Sequence, residues 1–193
     1  MKKKIFLYCY KMTHDTGFAP NPYQGVLTLA TCKPTIRRCA DVGYWISGWT
    51  SNQVQGKTQK FNFKDEPQKL IYLAKVTDKI SMTDYWVKFP QKRSKGIDDV
   101  GDNIYEPTEG GAFRQHKNGG GHGPDNKKRD LSGKFVLICE EFYYFGVENA
   151  IEIKNKSYTI PRCKKFSLED NEAKTIIEYV TKRYPKGLNL KKK

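Results

Sequence analysis

The sequence predicts an α+β fold: a small, mostly antiparallel β-barrel or curled sheet with short helices and an amphipathic helix near the C-terminus. Several short apolar runs are separated by turn-rich segments instead of regular long helices, which argues against a doubly wound parallel sheet. Aromatic residues make up 13% of the chain and hydrophobic residues only 37%, so large rings carry much of the core. The length of 193 residues suits one domain, 1–193, that buries a core without disulfides or metals.

The strands are predicted where β-branched and aromatic residues cluster between turn residues. These runs lie at 5–10, 25–31, 44–51, 69–80 and 134–146. A polar hairpin or loop is expected between the third and fourth runs, and a further short strand or loop follows the last one.

Two capping boxes predict helix starts. Ser81 precedes Asp84 by three positions, and Ser167 precedes Asp170 by the same spacing. The second box opens a C-terminal helix at about 167–184, whose apolar residues share one stripe at helical spacing.

The segment 91–130 is predicted to be a long polar, mobile loop, because glycine, lysine, aspartate and asparagine dominate it. Such a loop would be able to close over a ligand. It contains His116 and His122, but two histidines six residues apart are weak evidence for a metal site. We therefore predict no metal and no cofactor.

The charge balance favours a polyanionic partner. The chain has 35 Lys and Arg against 21 Asp and Glu, a net charge of +14, which suits a nucleotide or nucleic acid. The alternative is that scattered lysines only keep the protein soluble. The five cysteines form no CxxC pair, and their odd number suggests reduced thiols in a cytoplasmic protein. The N-terminal apolar stretch is too short for a signal peptide, and no segment has transmembrane length, so no membrane partner is expected.

The loop 17–25 has the features of a base-binding segment. Prolines on both sides would hold Asn21 rigidly, and its amide has donors and an acceptor that suit a base edge. Phe18 or Tyr23 would stack on the base. The alternative is a turn in which Asn21 bonds its own backbone.

The stretch "CKPTIRR" places three cations together. Lys33, Arg37 and Arg38 form a candidate phosphate site, and a plain surface charge cluster is the alternative. Cys32 is a candidate nucleophile, but no histidine or aspartate at a characteristic spacing supports this role, so a buried thiol is favoured.

Polar residues in "GDNIY" supply further candidates. Asp102, Asn103 and Tyr105 would hydrogen-bond a base or ribose, or form an ordinary turn. Trp49 would stack on a base, although tryptophan in a small fold is more often part of the core.

Catalytic candidates are weak. His14 would act as a general base with Asp15 nearby, but adjacent residues on a strand point to opposite faces. Asp102 is the third candidate. The sequence has no Walker loop, dinucleotide fingerprint or nucleophile elbow.

Three blocks resemble a known family. The run Gly17–Gly48, "GDNIY" at Gly101–Tyr105 and "FVLICEEFYYFG" at Phe135–Gly146 are similar to the second of the nucleotide modification associated domains. Tyr44 departs from that pattern, in which an aspartate is expected. The resemblance implies a phage or bacterial gene context in which nucleotides are modified, restricted or handled. A weaker resemblance is to PUA-like and EVE-like barrels, which hold a modified base.

Together these features predict a module that binds a nucleotide, modified base or nucleic acid in a setting of DNA modification, anti-phage defence or counter-defence. An enzyme acting on nucleotides or bases, a transferase or hydrolase, is the first alternative. A basic protein-interaction module is the second. The oligomeric state and the choice among DNA, RNA and small nucleotides stay open.

Overall fold

The computed structural model describes residues 4–154, 156 and 158–190. The strands are β1 (Phe6–His14), β2 (Leu27–Leu29), β3 (Trp45–Gln55), β4 (Lys60–Asn62), β5 (Leu70–Lys75), β6 (Asp78–Ser81), β7 (Tyr105–Pro107), β8 (Phe113–Gln115), β9 (Phe135–Cys139), β10 (Glu141–Tyr144), β11 (Cys163–Ser167) and β12 (Gly187–Leu188). The α-helices are α1 (Pro34–Cys39), α2 (Met82–Lys88), α3 (Pro124–Leu131) and α4 (Asn171–Thr181), and 3-10 turns lie at Pro90–Lys92, Glu109–Gly111 and Val147–Asn149.

The main sheet has the strand order β11-β1-β3-β5-β10-β12, with β4 paired to β3. The pairs β1–β3 and β10–β12 are parallel, and the other pairs of this sheet are antiparallel. A second sheet has the order β2-β9-β6, and β7 pairs with β8 in a hairpin. The α+β class is therefore confirmed.

The main sheet is open, because the described residues of β11 and β12 at its two ends are not paired with each other. The expected barrel is not formed in this part of the chain. Two apolar runs that the sequence presents as single strands are each broken in two, and their halves enter different sheets. The break between β5 and β6 lies at Val76 and Thr77, which bond Tyr44 and Ile138 respectively. The break at Glu140 likewise separates β9 from β10.

The core consists of three apolar clusters. One fills the space between the main sheet and the β2, β9 and α1 layer. The second lies on the opposite face of the sheet, where α4 buries the stripe Ala173, Ile176 and Val180. The third gathers α2, β6, β7 and β9 beside Phe18. The second sheet and α1 therefore cover one face of the main sheet, and α4 covers the other.

Local chemistry explains the helix ends. Ser81 caps α2 as its spacing predicts, because its hydroxyl accepts a hydrogen bond from the Asp84 N–H at 3.0 Å. Helix α4 begins later than its capping box suggests. Asp170 occupies the N-cap position, and its carboxylate accepts a bond from the Ser167 N–H at 2.8 Å.

The segment 91–130 contains regular structure despite its polar composition. It holds β7, β8 and α3, and Gly119 N bonds Asp99 O at 2.7 Å. The Phe18 ring packs on His122, which places the glycine-rich stretch against the rest of the fold, where it forms one wall of the site described below. None of the described helices is long and apolar enough to cross a membrane.

Gly48 permits close packing of β1, β3 and β5. A Cβ at this position would lie 2.2 Å from Met12 Sδ and 2.5 Å from the Tyr72 ring. We expect Gly48→Ala to lower the free energy of unfolding by about 2 kcal/mol, because the overpacked core must shift. Urea denaturation measures this loss. Gly123→Ala is the matched control, since a Cβ there meets no atom within 4 Å and the φ of Gly123 is −81°. Equal stability of the two variants would contradict this packing.

Candidate active site

Cys32 lies in a strained turn between β2 and α1. Cys32 and Lys33 both have left-handed backbone conformations, with φ values of 55° and 38°. This conformation is costly for residues with a Cβ, and it persists where the surrounding structure fixes it. Pro34 then begins α1. Because of this turn, Cys32 is only half-buried and its thiol lies outside the apolar core.

Two residues from distant parts of the chain meet this thiol. His122 Nε2 lies 3.3 Å from Cys32 Sγ, and His122 Nδ1 lies 2.5 Å from Asp130 Oδ2. The imidazole therefore connects a thiol on one side with a carboxylate on the other. This arrangement of nucleophile, base and orienting acid is the geometry of a catalytic triad.

The imidazole of His122 is held by its own loop and by Phe18. The Phe18 ring packs on it with a centroid distance of 4.9 Å. Asn118 accepts a bond from the His122 N–H, and Gln115 donates to the His122 carbonyl. A Cβ at Gly120 would lie 2.1 Å from the Phe18 ring, so glycine is required for this approach.

Asp130 is fixed from several directions. Its Oδ1 accepts a hydrogen bond from the Cys32 N–H at 2.9 Å. Its Oδ2 accepts one from the Tyr105 hydroxyl at 2.9 Å as well as the one from His122. The Arg37 guanidinium donates to the Asp130 carbonyl. The carboxylate is fully buried and has little freedom to reorient.

The site favours a charged imidazole. Burial lowers the pKa of His122, but the hydrogen bonds to Asp130 and Cys32 outweigh it and raise the pKa to about 9. Burial raises the pKa of Asp130, but its bonds to His122 and to the Cys32 N–H bring the pKa below its ordinary value. His122 is therefore an imidazolium at neutral pH, with Nε2 beside Cys32 Sγ.

The three side chains also offer ligand atoms within 4.8 Å of one another, as a metal site would. Their orientation does not suit one. Both imidazole nitrogens are engaged, with Asp130 on Nδ1 and Cys32 on Nε2. A metal at Nε2 would have Asp130 only as an outer partner, leaving two protein ligands where catalytic zinc sites use three.

The thiol faces a cleft of about 900 Å³ between the end of β1, the β2–α1 turn and the loop before α3. This first cleft is lined by Lys33, Arg129 and Arg162, which supply positive charge. No acidic residue is found among its described lining residues. The volume lies within the range of small-molecule sites.

Several predicted site residues instead form a buried polar network. Asn21 donates to the Gly17 and Val100 carbonyls and accepts from Lys92 Nζ at 2.8 Å. Asp102 accepts bonds from the Thr28 and Tyr85 hydroxyls at 2.7 Å and 2.6 Å. Asn21 and Asp102 are almost fully buried and bonded within the fold, so they offer no group to a ligand in this conformation.

Burial is the main cause of the pKa shifts of Lys92 and Asp102 in this network. It lowers the pKa of Lys92 to about 8, although the charge of Asp102 opposes the shift. It also raises the pKa of Asp102, against the effect of Lys92 and the two hydroxyls. Lys92 Nζ donates to the carbonyls of Asn21 and Val26, so this network joins β2 to the 3-10 turn after α2.

Three other candidates are also placed in the interior. Asn103 donates to the Tyr85 and Phe89 carbonyls, both at 3.0 Å. Trp49 is fully buried in the cluster beneath α4, and its Nε1 donates to Ser47 at 2.9 Å. Tyr105 is used to orient Asp130.

The basic cluster is divided between three environments. Arg37 is fully buried and donates to the Cys32 and Phe135 carbonyls at 2.9 Å and 2.8 Å. Burial lowers its pKa to about 10, although Asp130 opposes the shift. Arg38 is exposed and donates to the Ser132 carbonyl. Lys33 lines the first cleft, with Nζ 4.2 Å from the centroid of the Tyr10 ring.

The remaining candidates differ in access to the first cleft. His14 and Phe18 line it, although Phe18 is only 2% exposed. Tyr23 is half-buried under Lys57, with Nζ 4.8 Å from its ring centroid. Asp15 is buried and accepts bonds from the Tyr144 hydroxyl and the Val147 N–H, both at 2.6 Å. His14 and Asp15 therefore do not act as a pair.

Sequence reasoning missed the triad, because its members lie at positions 32, 122 and 130. Their separation leaves no local spacing to recognise. The available signal was a Cys-Lys-Pro helix start together with a histidine in a glycine-rich loop followed by a Gly-Pro helix start. That signal is too common to identify a site without the fold.

Arg37 is expected to be needed for stability. We expect Arg37→Met to lower the free energy of unfolding by at least about 3 kcal/mol, because three buried carbonyls lose their donor. Arg38→Met is the matched control and should stay within about 0.5 kcal/mol of the wild type. Urea denaturation compares the two. A stable Arg37→Met variant that loses only ligand affinity would favour the phosphate-site interpretation instead.

The raised pKa of His122 makes stability depend on pH. Its contribution is complete below its unfolded pKa of about 6.5 and is lost as the pH rises through about 9. We expect the stability gap between wild type and His122→Gln to shrink by about 2 kcal/mol from about pH 6 to about pH 9.5, allowing for solvent screening. Urea denaturation under reducing conditions measures it. His14→Gln is the matched control, because His14 is exposed. The change in its stability gap between the same two pH values is subtracted from that of His122→Gln. A gap independent of pH would contradict the Asp130–His122 pairing.

Comparison with known proteins identifies a family for this chain. The model of the nucleotide modification associated domain 2 family matches residues 2–189 of the 193. No curated protein matches, and no solved structure does. The matched range includes all three triad residues and every described residue that lines the first cleft. The chain therefore belongs to the nucleotide modification associated domain 2 family.

Proposed function

We propose that the protein is a cysteine-dependent acyltransferase or amidohydrolase that acts on a phosphate-bearing nucleotide substrate. The observation that carries this proposal is the Cys32–His122–Asp130 chain, with contacts of 3.3 Å and 2.5 Å, at the wall of a cleft without acidic lining residues among those described. The family membership supports a role in nucleotide modification.

The triad supports a two-step covalent reaction. His122 begins protonated, so the Cys32 thiolate of this pair forms a bond to a carbonyl carbon of the substrate, and the carbonyl oxygen takes the negative charge. As the tetrahedral intermediate collapses, the carbon–leaving-group bond breaks and His122 gives its proton to the leaving group. An acceptor, either water or an amine, then attacks the thioester, gives its proton to His122 and expels the Cys32 thiolate.

Asp130 acts as the orienting residue in both steps. It remains ionised and holds Nδ1 of His122, so Nε2 always faces the thiol. Tyr105 and the Cys32 N–H keep the carboxylate in place. The negative charge of Asp130 also stabilises the imidazolium that forms during each proton transfer.

The cations of the first cleft would bind phosphate. Lys33 follows the nucleophile in the chain, and Arg129 precedes the orienting acid, so phosphate binding would position the substrate beside the triad. Arg162 supplies a third positive charge from the segment before β11.

A second candidate is a module that binds a nucleotide without breaking bonds. It is supported by the cationic lining alone, which requires no nucleophile. Either function suits the phage or bacterial setting of DNA modification, defence or counter-defence expected from the resemblance, and a cytoplasmic location. The reactivity of Cys32 distinguishes the two.

We expect iodoacetamide to alkylate Cys32 at least about tenfold faster than Cys39, although Cys39 is the more exposed thiol. His122→Gln should slow the labelling of Cys32 about tenfold and leave that of Cys39 unchanged. A mixture of nucleoside monophosphates should protect Cys32 and Cys163, which both line the first cleft, and leave Cys39 unprotected. Peptide mass spectrometry at limiting reagent measures each site.

Cys39→Ala is the matched control and should retain both the reactivity and the protection of Cys32. If Cys32 reacts no faster than Cys39 and is indifferent to His122→Gln, the triad proposal is wrong. If Cys32 is unreactive but nucleotides still bind in calorimetry, the binding module is the better account.

A further inference from the structure

A second cleft adjoins the first. It has a volume of about 750 Å³ and lies between the end of β1 and the β3–β4 hairpin. Thr13 and His14 line both clefts, so one short ridge at the end of β1 separates them. Cys32 and His122 of the triad line the first cleft, whereas none of the triad residues lines the second.

The second cleft is also cationic. Lys11, Lys60 and Lys64 line it, and no acidic residue is found among its described lining residues. The chain has 21 acidic residues, so their absence from both described linings is a marked segregation of charge. Adjacent clefts with only positive charges favour a ligand whose negative charges extend across both.

The rest of the second lining is polar and neutral. It consists of Ser51, Asn52, Gln53 and Gln55 together with Thr13 and His14. Hydroxyl and amide groups of this kind bond phosphate, sugar and base edges without requiring one sequence. Such a lining does not resemble the apolar pocket that holds a single drug-like ligand.

Contacts across β1 connect the two clefts. Lys33 of the first cleft donates from Nζ to the carbonyl of Lys11, which lines the second, at 3.4 Å. The Lys11 N–H donates to the carbonyl of Arg162, another residue of the first cleft, at 3.2 Å. The positive charges therefore continue from one cleft to the other over a single strand.

We infer that the substrate is a nucleotide within a single nucleic acid strand. The reacting nucleotide occupies the first cleft beside Cys32, and the adjoining strand crosses the Thr13–His14 ridge into the second cleft. This inference rests on the proposed function and adds the class of substrate. A base-paired duplex would first have to release the reacting nucleotide, because the triad lies inside a cleft.

If a single strand crosses into the second cleft, the exposed Lys60 and Lys64 contact its phosphates, and removing their charges should weaken oligonucleotide binding. Fluorescence anisotropy would measure the affinity of labelled single-stranded DNA and RNA of mixed sequence, about 15 nucleotides long, over a salt series. We expect Lys60→Gln/Lys64→Gln to weaken oligonucleotide binding about tenfold at low salt. The slope of log K against log salt should fall in magnitude by about 1.4, since each lost phosphate contact contributes about 0.7 for single strands.

Lys88→Gln/Lys174→Gln is the matched control, because these lysines are exposed and line neither cleft. It should change the affinity and the slope little. Protection of Cys32 by nucleoside monophosphates should be the same in both double variants, because it depends on the first cleft alone. The stronger of the DNA and RNA signals identifies the strand.

Unchanged oligonucleotide affinity and slope in Lys60→Gln/Lys64→Gln, with monophosphate protection of Cys32 retained, would overturn the strand inference alone. Polyglutamate that displaces the oligonucleotide at equal charge concentration would overturn it in favour of an acidic protein partner. Loss of Cys32 protection in the wild type would instead contradict the proposed function. The two proposals are therefore tested separately.

Discussion

The Asp130 carboxylate joins three separate parts of the chain. It accepts hydrogen bonds from the Cys32 N–H in the β2–α1 turn, from His122 in the glycine-rich loop and from Tyr105 on β7. Its backbone carbonyl accepts a further bond from the buried Arg37. A buried carboxylate is stable only when its bonding capacity is used, so these segments must assemble together. The site is therefore a consequence of satisfying one buried charge.

The same requirement explains why the basic and amide residues of the sequence motifs are found inside the fold. Arg37 and Asn21 lie in sequence motifs that suggest ligand binding. In the structure Arg37 donates to backbone carbonyls, and Asn21 donates to backbone carbonyls and accepts from Lys92. A buried arginine or asparagine with all its donors engaged stabilises irregular backbone that sheets and helices leave unpaired. In this protein such residues build the walls of the site, and the chemistry is left to Cys32 and His122.

Sequence patterns predicted the α+β class, the Ser81 cap and the family, because these depend on local spacing or on long segments similar to the family. They did not predict that the apolar runs 69–80 and 134–146 are each shared between two sheets, since alternation alone does not reveal a change of partner. The triad could not be predicted from the sequence for a related reason. Ninety residues separate Cys32 from His122, and tertiary contacts, including those of both residues to Asp130, bring them together.

The charge distribution around the site includes the two clefts as well as the buried Asp130. Positive side chains line both, while Asp130 remains buried behind the imidazole. The most direct test of the account is an NMR titration of the His122 ring in the wild type and in Asp130→Asn. We expect a midpoint near 9 in the wild type and a clear decrease in Asp130→Asn. A midpoint near the ordinary histidine value of about 6.5 that is unaffected by Asp130→Asn would contradict it.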